Sequence, residues 1–185
     1  MVSIDRNTFV DGSWTLRKIE SQTICDPFDC GDDDLNEYFR VDAPLHKQEL
    51  LTQTYCLQDS TRPDLVVALL DFCNDAVRIE KYKKAIEIPP RKQYSTLPAV
   101  KLTRIGVAKQ LQGMDIGSHA LNMIKKFFTT DNRTGCRLIT VDAYNTERVI
   151  RFYEKNGFKP FSDKDKRKQN RSLFFDLKRF TITQS

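Results

Sequence analysis

Apolar and polar positions alternate, cluster and recur along this chain in a way that predicts both strands and helices. Trp14–Ile19 (WTLRKI) predicts a first strand. Asp33 or Asp34 then stands where a helix N-cap belongs, ahead of a helical stripe of Leu35, Tyr38, Phe39 and Val41. Pro44 breaks or restarts that helix, and His46–Leu51 continue it. Thr52–Leu57 (TQTYCL) is rich in β-formers. Leu65–Cys73 is a near-continuous apolar run, as in a strand covered on both faces, and a turn at Arg62–Asp64 separates the two as a hairpin.

The second half is more regular. Asp75–Leu97 carries Pro89 and Pro90, with Pro98 just beyond, and resists assignment to a long element. Ala99–Val107 alternates in two halves that are out of phase, and a bulge at Arg104–Gly106 would restore the phase. In Ile116–Phe128, Ile116, Ala120, Leu121, Ile124, Phe127 and Phe128 keep a 3.6-residue period. A turn at Asp131–Gly135 leads to a strand, Cys136–Ala143. Thr146–Asn156 is a second helix with Val149, Ile150, Phe152 and Tyr153 on one side, and Gly157 followed by Phe158 fits a Schellman ending. Leu173–Leu177 is a last strand. The order ends β–α–β–α–β, so the fold class is α/β or α+β around a mixed sheet.

Composition narrows the class. At 185 residues the chain reads as one domain spanning 1–185, and 12 Phe and 6 Tyr supply enough apolar burial to exclude disorder. No apolar run approaches the roughly 20 residues of a membrane span, and Met1–Val10 lacks a signal-peptide core. A soluble, cytoplasmic protein is expected. The 5 Cys form no CxxC pair and, with only 2 His, no zinc spacing, so neither a metal nor a disulfide framework is expected. The net charge of +5 is unevenly spread. Asp26, Asp29, Asp32, Asp33, Asp34, Glu37 and Asp42 form an acidic stretch, whereas Lys159, Lys164, Lys166, Arg167, Lys168 and Arg171 form a basic block. Such a block is either solvated surface or an attractor of anions.

The chemistry lies between Lys101 and Phe158. A glycine-bearing loop that opens a helix presents backbone N–H groups to a phosphate, and the helix dipole adds to the attraction. Here that loop is QGMDIG, which fits neither GxxxxGK[ST] nor GxGxxG. Together LTRIGV at Leu102–Val107, QGMDIG at Gln112–Gly117, VDA at Val141–Ala143 and RFYEKNGF at Arg151–Phe158 resemble the GNAT superfamily of acetyl-CoA-dependent N-acetyltransferases in order and spacing. FDCGDDDLNEYF at Phe28–Phe39 and QTYCL at Gln53–Leu57 extend the resemblance to the branch that includes bacterial toxin–antitoxin acetyltransferases. Gln53 stands where that branch carries Arg before Thr-Tyr.

The resemblance implies a central, mixed, mostly antiparallel twisted sheet with helices on both faces, and direct transfer of acetyl from acetyl-CoA to a primary amine without a metal. It implies that Ile105, Gly106 and Val107 face the pantetheine and thioester, and that Gln112, Gly113, Met114, Asp115, Ile116, Gly117 and Ser118 cradle the pyrophosphate. It makes Tyr153 the general acid for the CoA thiolate, although Tyr153 also fits a packed helix face. Asn145 bonds the pantetheine or caps the helix, and Thr146 competes for the same alignment. Asp115 replaces the family's usual Gly, where its carboxylate either competes with the pyrophosphate or points to solvent. Asp71, Asp142 and Glu147 are available carboxylates, with no general base singled out. Asp75–Pro98 and Phe161–Arg171 are expected to border the acceptor. The acceptor is an amine of unknown identity, with aminoacyl-tRNA as the alternative and a non-catalytic acetyl-CoA-binding module as a third reading. The family also forms homodimers. No membrane partner is expected.

Overall fold

The computed structural model describes residues 7–20, 28–62, 64–78, 94–130 and 135–182. Hydrogen bonding orders eight strands as β1-β2-β3-β4-β5-β6-β8-β7. They are β1 (Thr8–Asp11), β2 (Trp14–Lys18), β3 (Gln53–Asp59), β4 (Ala68–Arg78), β5 (Thr96–Val107), β6 (Leu138–Tyr144), β7 (Lys159–Pro160) and β8 (Asn170–Asp176). β5 pairs parallel to β6 over Ala99–Lys101 and Leu138–Thr140. Every other pairing with a described register is antiparallel, so the sheet is mixed and mostly antiparallel, as expected. Among the described residues five α-helices accompany it: α1 (Asp33–Glu37), α2 (Ala43–Gln48), α3 (Ile116–Thr129), α4 (Glu147–Lys155) and α5 (Leu177–Ile182). Among the described residues no helix is long and apolar enough to cross a membrane.

The chain divides into two compact units, Met1–Cys73 with Thr103–Ile124, and Asn74–Leu102 with Lys125–Ser185. In the first, β1 and β2 form a hairpin that turns at Gly12 (φ +62°). β1 was absent from the sequence reading because TFVD is only four residues long. The cap of α1 falls on Asp32, which accepts the Leu35 N–H at 3.1 Å, one position before the expected Asp33 or Asp34. The restart expected at Pro44 is seen: a π turn at Tyr38–Asp42 follows α1, and α2 resumes α-helical bonding with Pro44 in its first turn. Phe39, Cys56 and Leu69 are buried together in this unit's core.

β5 carries apolar side chains on both faces, which accounts for its phase change. The Arg104 guanidinium lies 4.7 Å from the centroid of the Tyr38 ring. Two residues on, a Cβ at Gly106 would meet Phe39 at 3.2 Å and Cys30 and Phe28 at 3.3 Å. Arg104 and Gly106 thus both look toward the Tyr38–Phe39 turn.

In the second unit, Val77, Leu97, Ala99, Leu138 and Phe174 form the core. β6 pairs with β8 along its whole length, from Leu138↔Asp176 to Tyr144↔Asn170. The end of α4 is the Schellman motif the sequence predicts. Phe158 N–H donates to the Tyr153 carbonyl at 3.0 Å, and Gly157 N–H to that of Glu154 at 2.9 Å. α5 was missed because its six residues follow directly on β8. The expected turn at Asp131–Gly135 and most of Asp75–Leu97 fall outside the described residues.

Gly157 tests this helix end. Its φ is +80°, and a Cβ there would lie 3.0 Å from the Phe175 ring. Gly12 has a similar φ of +62° with nothing within 4 Å. Gly157→Ala is expected to lower the unfolding free energy by about 1–3 kcal/mol, more than Gly12→Ala, because it adds a clash to the left-handed strain. Urea midpoints of the two variants decide this, and equal losses would remove the packing argument.

Candidate functional site

In the first unit, β5 ends in a 3₁₀ turn, Lys109–Leu111, and a tight turn, Gln112–Asp115, that opens α3. Gly113 has φ +83° and open space around it, and Met114 is largely exposed. Asp115 also lies in the left-handed region, at φ +60°. That conformation is why glycine suits the position, and Asp is one of the few other residues that tolerate it. The Asp115 carbonyl accepts the His119 N–H at 3.1 Å, so helical bonding begins there. Helix geometry leaves the first N–H groups of α3, beginning with Ile116 and Gly117, without an intrahelical acceptor. Ser118 is buried one residue further in. The local shape is that of an anion cradle.

The side chain of Gln112 fastens this turn from below. Its Nε2 donates to the carbonyls of Cys30 at 2.7 Å and Val107 at 3.1 Å. Ile105 and Val107 are half-buried and Gly106 is buried. The Phe28–Phe39 motif has a clear structural purpose here. Asp29 Oδ1 accepts the Gly31 N–H at 2.7 Å and Asn36 Nδ2 at 2.8 Å, while its carbonyl accepts the Lys109 N–H at 2.9 Å. Asn36 Oδ1 accepts the Cys30 N–H at 2.9 Å. Those bonds, the Gly31 amide first, hold the Asp29 carboxyl below its usual range. Burial pushes the Cys30 thiol up, which makes it a poor nucleophile. Gln53, at the departure from the toxin pattern, donates to the carbonyls of Ile19 at 3.3 Å and Thr54 at 3.1 Å.

The three candidate carboxylates are all engaged. Asp71 is fully buried and accepts hydroxyl bonds from Tyr38, Thr54 and Thr103, each at 2.7 Å. Burial, followed by its bond to Asp71, pushes the Tyr38 phenol up to about 12. Asp142, in the second unit, is held by Lys101 and by Ser172 at 2.6 Å. Burial works upward on Asp142, but these two bonds outweigh it and keep the carboxyl low. Glu147 is exposed and paired with Arg151 at 2.5 Å. A cavity of about 300 Å³ beside Asp142 is lined by Asp75, Arg78, Lys101, Thr140, Phe161 and Ser172, among others. It brings together parts of the two segments expected to border the acceptor. Among the described residues no group of three or more His, Cys, Asp and Glu is placed to hold a metal.

Tyr153 lies on the inner side of α4 and is 5% exposed. Its ring meets Phe152 at 5.1 Å and Phe158 at 5.3 Å, both edge-on. Burial raises its phenol well above the ordinary value, so the hydroxyl keeps its proton at neutral pH. Thr146, not Asn145, caps α4, accepting the Val149 N–H at 3.4 Å. The Asn145 side chain instead donates to the carbonyls of Lys166 at 2.8 Å and Lys168 at 2.9 Å.

One residue escaped the sequence reading entirely. Lys125 looks like a solvated lysine near the end of α3, yet it is 4% exposed. Its Nζ donates to the Asn156 carbonyl at 2.8 Å and lies 4.4 Å from the centroid of the Phe175 ring. Asn156 is the C-cap of α4, so a cation sits at the negative end of the helix that carries Tyr153. The available hint was its position one residue after Ile124, on the edge of the apolar stripe.

A family model described as an acetyltransferase (GNAT) domain matches residues 68–160. No curated protein matches the sequence. Among solved structures, AtaT complexed with acetyl-methionyl-tRNAfMet is similar at TM-score 0.67 and 21% identity, over 93% of this chain and 99% of that one. A tyrosine-to-phenylalanine mutant of the AtaT toxin, bound to acetyl-CoA and the C-terminus of the antitoxin AtaR, gives 0.64 and 20% over 94% and 99%. A tyrosine-to-phenylalanine mutant of KacT gives 0.65 and 17% over 92% and 99%. At these identities the likeness is one of fold.

Burial pushes Lys125 from the ordinary 10.5 down to about 8. Between those values the unfolded chain binds more proton, so this group's contribution to stability rises as pH increases from about 8 to 10.5. Below that window both states are charged and the full burial penalty applies. Denaturant midpoints at pH 7 and 9.5 are expected to show a rise that Lys125→Met removes, on the order of 1–3 kcal/mol. The same pH dependence in both proteins would show that Lys125 is not the titrating group.

Proposed function

The chain belongs to the GNAT acetyltransferase family, and from that premise we propose that it moves the acetyl group of acetyl-CoA directly to a primary amine, with the α-amino group of an aminoacyl-tRNA as the acceptor. The observation that carries the cosubstrate is the turn at Gln112–Asp115. It reverses handedness twice, at Gly113 and Asp115, and delivers the open N–H groups of α3 to a phosphate. Its residues fit a pyrophosphate, apart from the carboxylate of Asp115. The acceptor reading is supported by fold likeness to AtaT, of which one structure holds acetyl-methionyl-tRNAfMet.

The residues divide the work as follows. N–H groups of β5 around Ile105 and Val107 stabilise negative charge on the thioester oxygen as the neutral amine attacks and the C–N bond forms. As the C–S bond breaks, charge collects on sulfur. The Tyr153 phenol is protonated and holds its proton more tightly than an ordinary thiol does, so it acts chiefly as a hydrogen-bond donor to the departing thiolate. The amine's proton leaves to water, because Asp71 and Asp142 are already committed to other donors.

Tyr153→Phe is expected to lower kcat by about 10²-fold or more, with the KM for acetyl-CoA nearly unchanged. Growth arrest on expression of the parent, relieved by this variant, together with N-acetylated aminoacyl-tRNA detected in vitro, supports the full reading. Acetylation of free amines but not of charged tRNA would replace the acceptor with a small amine. Asp115→Gly is expected to tighten coenzyme A binding severalfold by removing like charge from the cradle. An unchanged dissociation constant would mean that the carboxylate does not compete with the phosphates.

A further inference from the structure

We propose that the loop between β7 and β8, residues 161–169, is a preformed docking surface for RNA phosphates. It takes the kind of RNA from the aminoacyl-tRNA reading, but the surface itself rests on separate observations. The loop is closed at its base by the Phe161 N–H donating to the Ser172 carbonyl at 3.1 Å, and Phe161 stacks on Phe174 at 4.7 Å. Its far side is held from outside, because the Asn145 amide spans the carbonyls of Lys166 and Lys168 and the Asn145 N–H donates to the Gln169 carbonyl at 2.9 Å. The backbone is therefore fixed before any ligand arrives, which removes much of the ordering penalty of binding.

The charges are sorted as well as fixed. The loop contains two acids, and both are absorbed. Asp165 is turned inward, accepting the Ser172 N–H at 2.9 Å and facing the largely buried Arg171 at 3.5 Å. Asp163 pairs with Lys166 at 2.9 Å and with Arg171 at 3.5 Å. Lys164, Arg167 and Lys168 are exposed and have no ion pair among the described residues. Three uncompensated cations on one rigid loop make a surface for a polyanion. The loop offers no exposed apolar anchor, since its one aromatic residue, Phe161, is packed on Phe174. A membrane-binding loop would pair its cations with such an anchor. In the sequence the same block reads either as solvated surface or as an attractor of anions.

The experiment is binding of fluorescently labelled tRNA by anisotropy from 50 to 200 mM salt. The wild-type chain is compared with the triple variant Lys164→Gln, Arg167→Gln, Lys168→Gln. The variant is expected to bind at least tenfold more weakly at about 100 mM salt. Its log–log salt slope should shrink by roughly 2–3, near one per lost phosphate contact. Its melting temperature and its coenzyme A affinity should match the parent. Unchanged tRNA affinity overturns the proposal whether or not charged tRNA is acetylated. Loss of tRNA binding in a protein that does not acetylate charged tRNA supports the docking surface and removes only the acceptor reading. Equal wild-type affinity for phosphatidylserine vesicles or a polyglutamate peptide, lost in parallel in the variant, would also overturn it in favour of a general anion surface.

Discussion

Burying the carboxylate of Asp71 obliges three hydroxyls to converge on it, and much of the first unit follows from that requirement. A carboxyl group cut off from water is tolerated only when its oxygens are met by hydrogen-bond partners. Tyr38 comes from the π turn, Thr54 from β3 and Thr103 from β5, so one buried side chain ties three separate stretches of chain together. Thr103 is also the point from which β5 runs on to Gly106 and the anion cradle. The second unit meets the same kind of demand with the opposite sign. Lys125 is drawn under the end of α4, where a helix carbonyl and an aromatic face receive it. In both cases a buried polar group is held by partners from distant parts of its unit.

This division explains why the candidate carboxylates look so unpromising as bases. Asp71 and Asp142 have their acceptor capacity taken up by hydroxyls and an ammonium, and Glu147 lies on the open side of α4. A transfer that needs only oriented N–H groups, a protonated phenol and water has no need of them.

Much of this was legible in the sequence where periodicity is long or geometry is local. α3 and α4 show because an apolar stripe repeats over several turns, and the Gly157–Phe158 ending shows because only a few residues suit a left-handed C′ position. The turn that opens α3 shows through Gly113. What stayed hidden depends on partners distant in the chain. Nothing around Lys125 announces that Asn156 and Phe175 will fold over it. Asn145 reads as a cap or a ligand until the carbonyls of Lys166 and Lys168 arrive beside it. The π turn is equally invisible, because Tyr38–Asp42 carries an ordinary helical pattern. The four residues of β1 are too few to register alternation.

The left-handed aspartate has a kinetic meaning as well as a geometric one. Acetyl-CoA and spent CoA carry the same pyrophosphate, so on the proposed reading the Asp115 carboxylate weakens the grip on both alike. An effect common to substrate and product leaves the chemical barrier where it was and shortens the stay of each. Where expulsion of the spent carrier is the slow step, such a residue speeds the cycle at high acyl-donor supply and slows it at low supply. On that reading, a single side chain in the turn would couple the pace of the cycle to the level of the acyl donor.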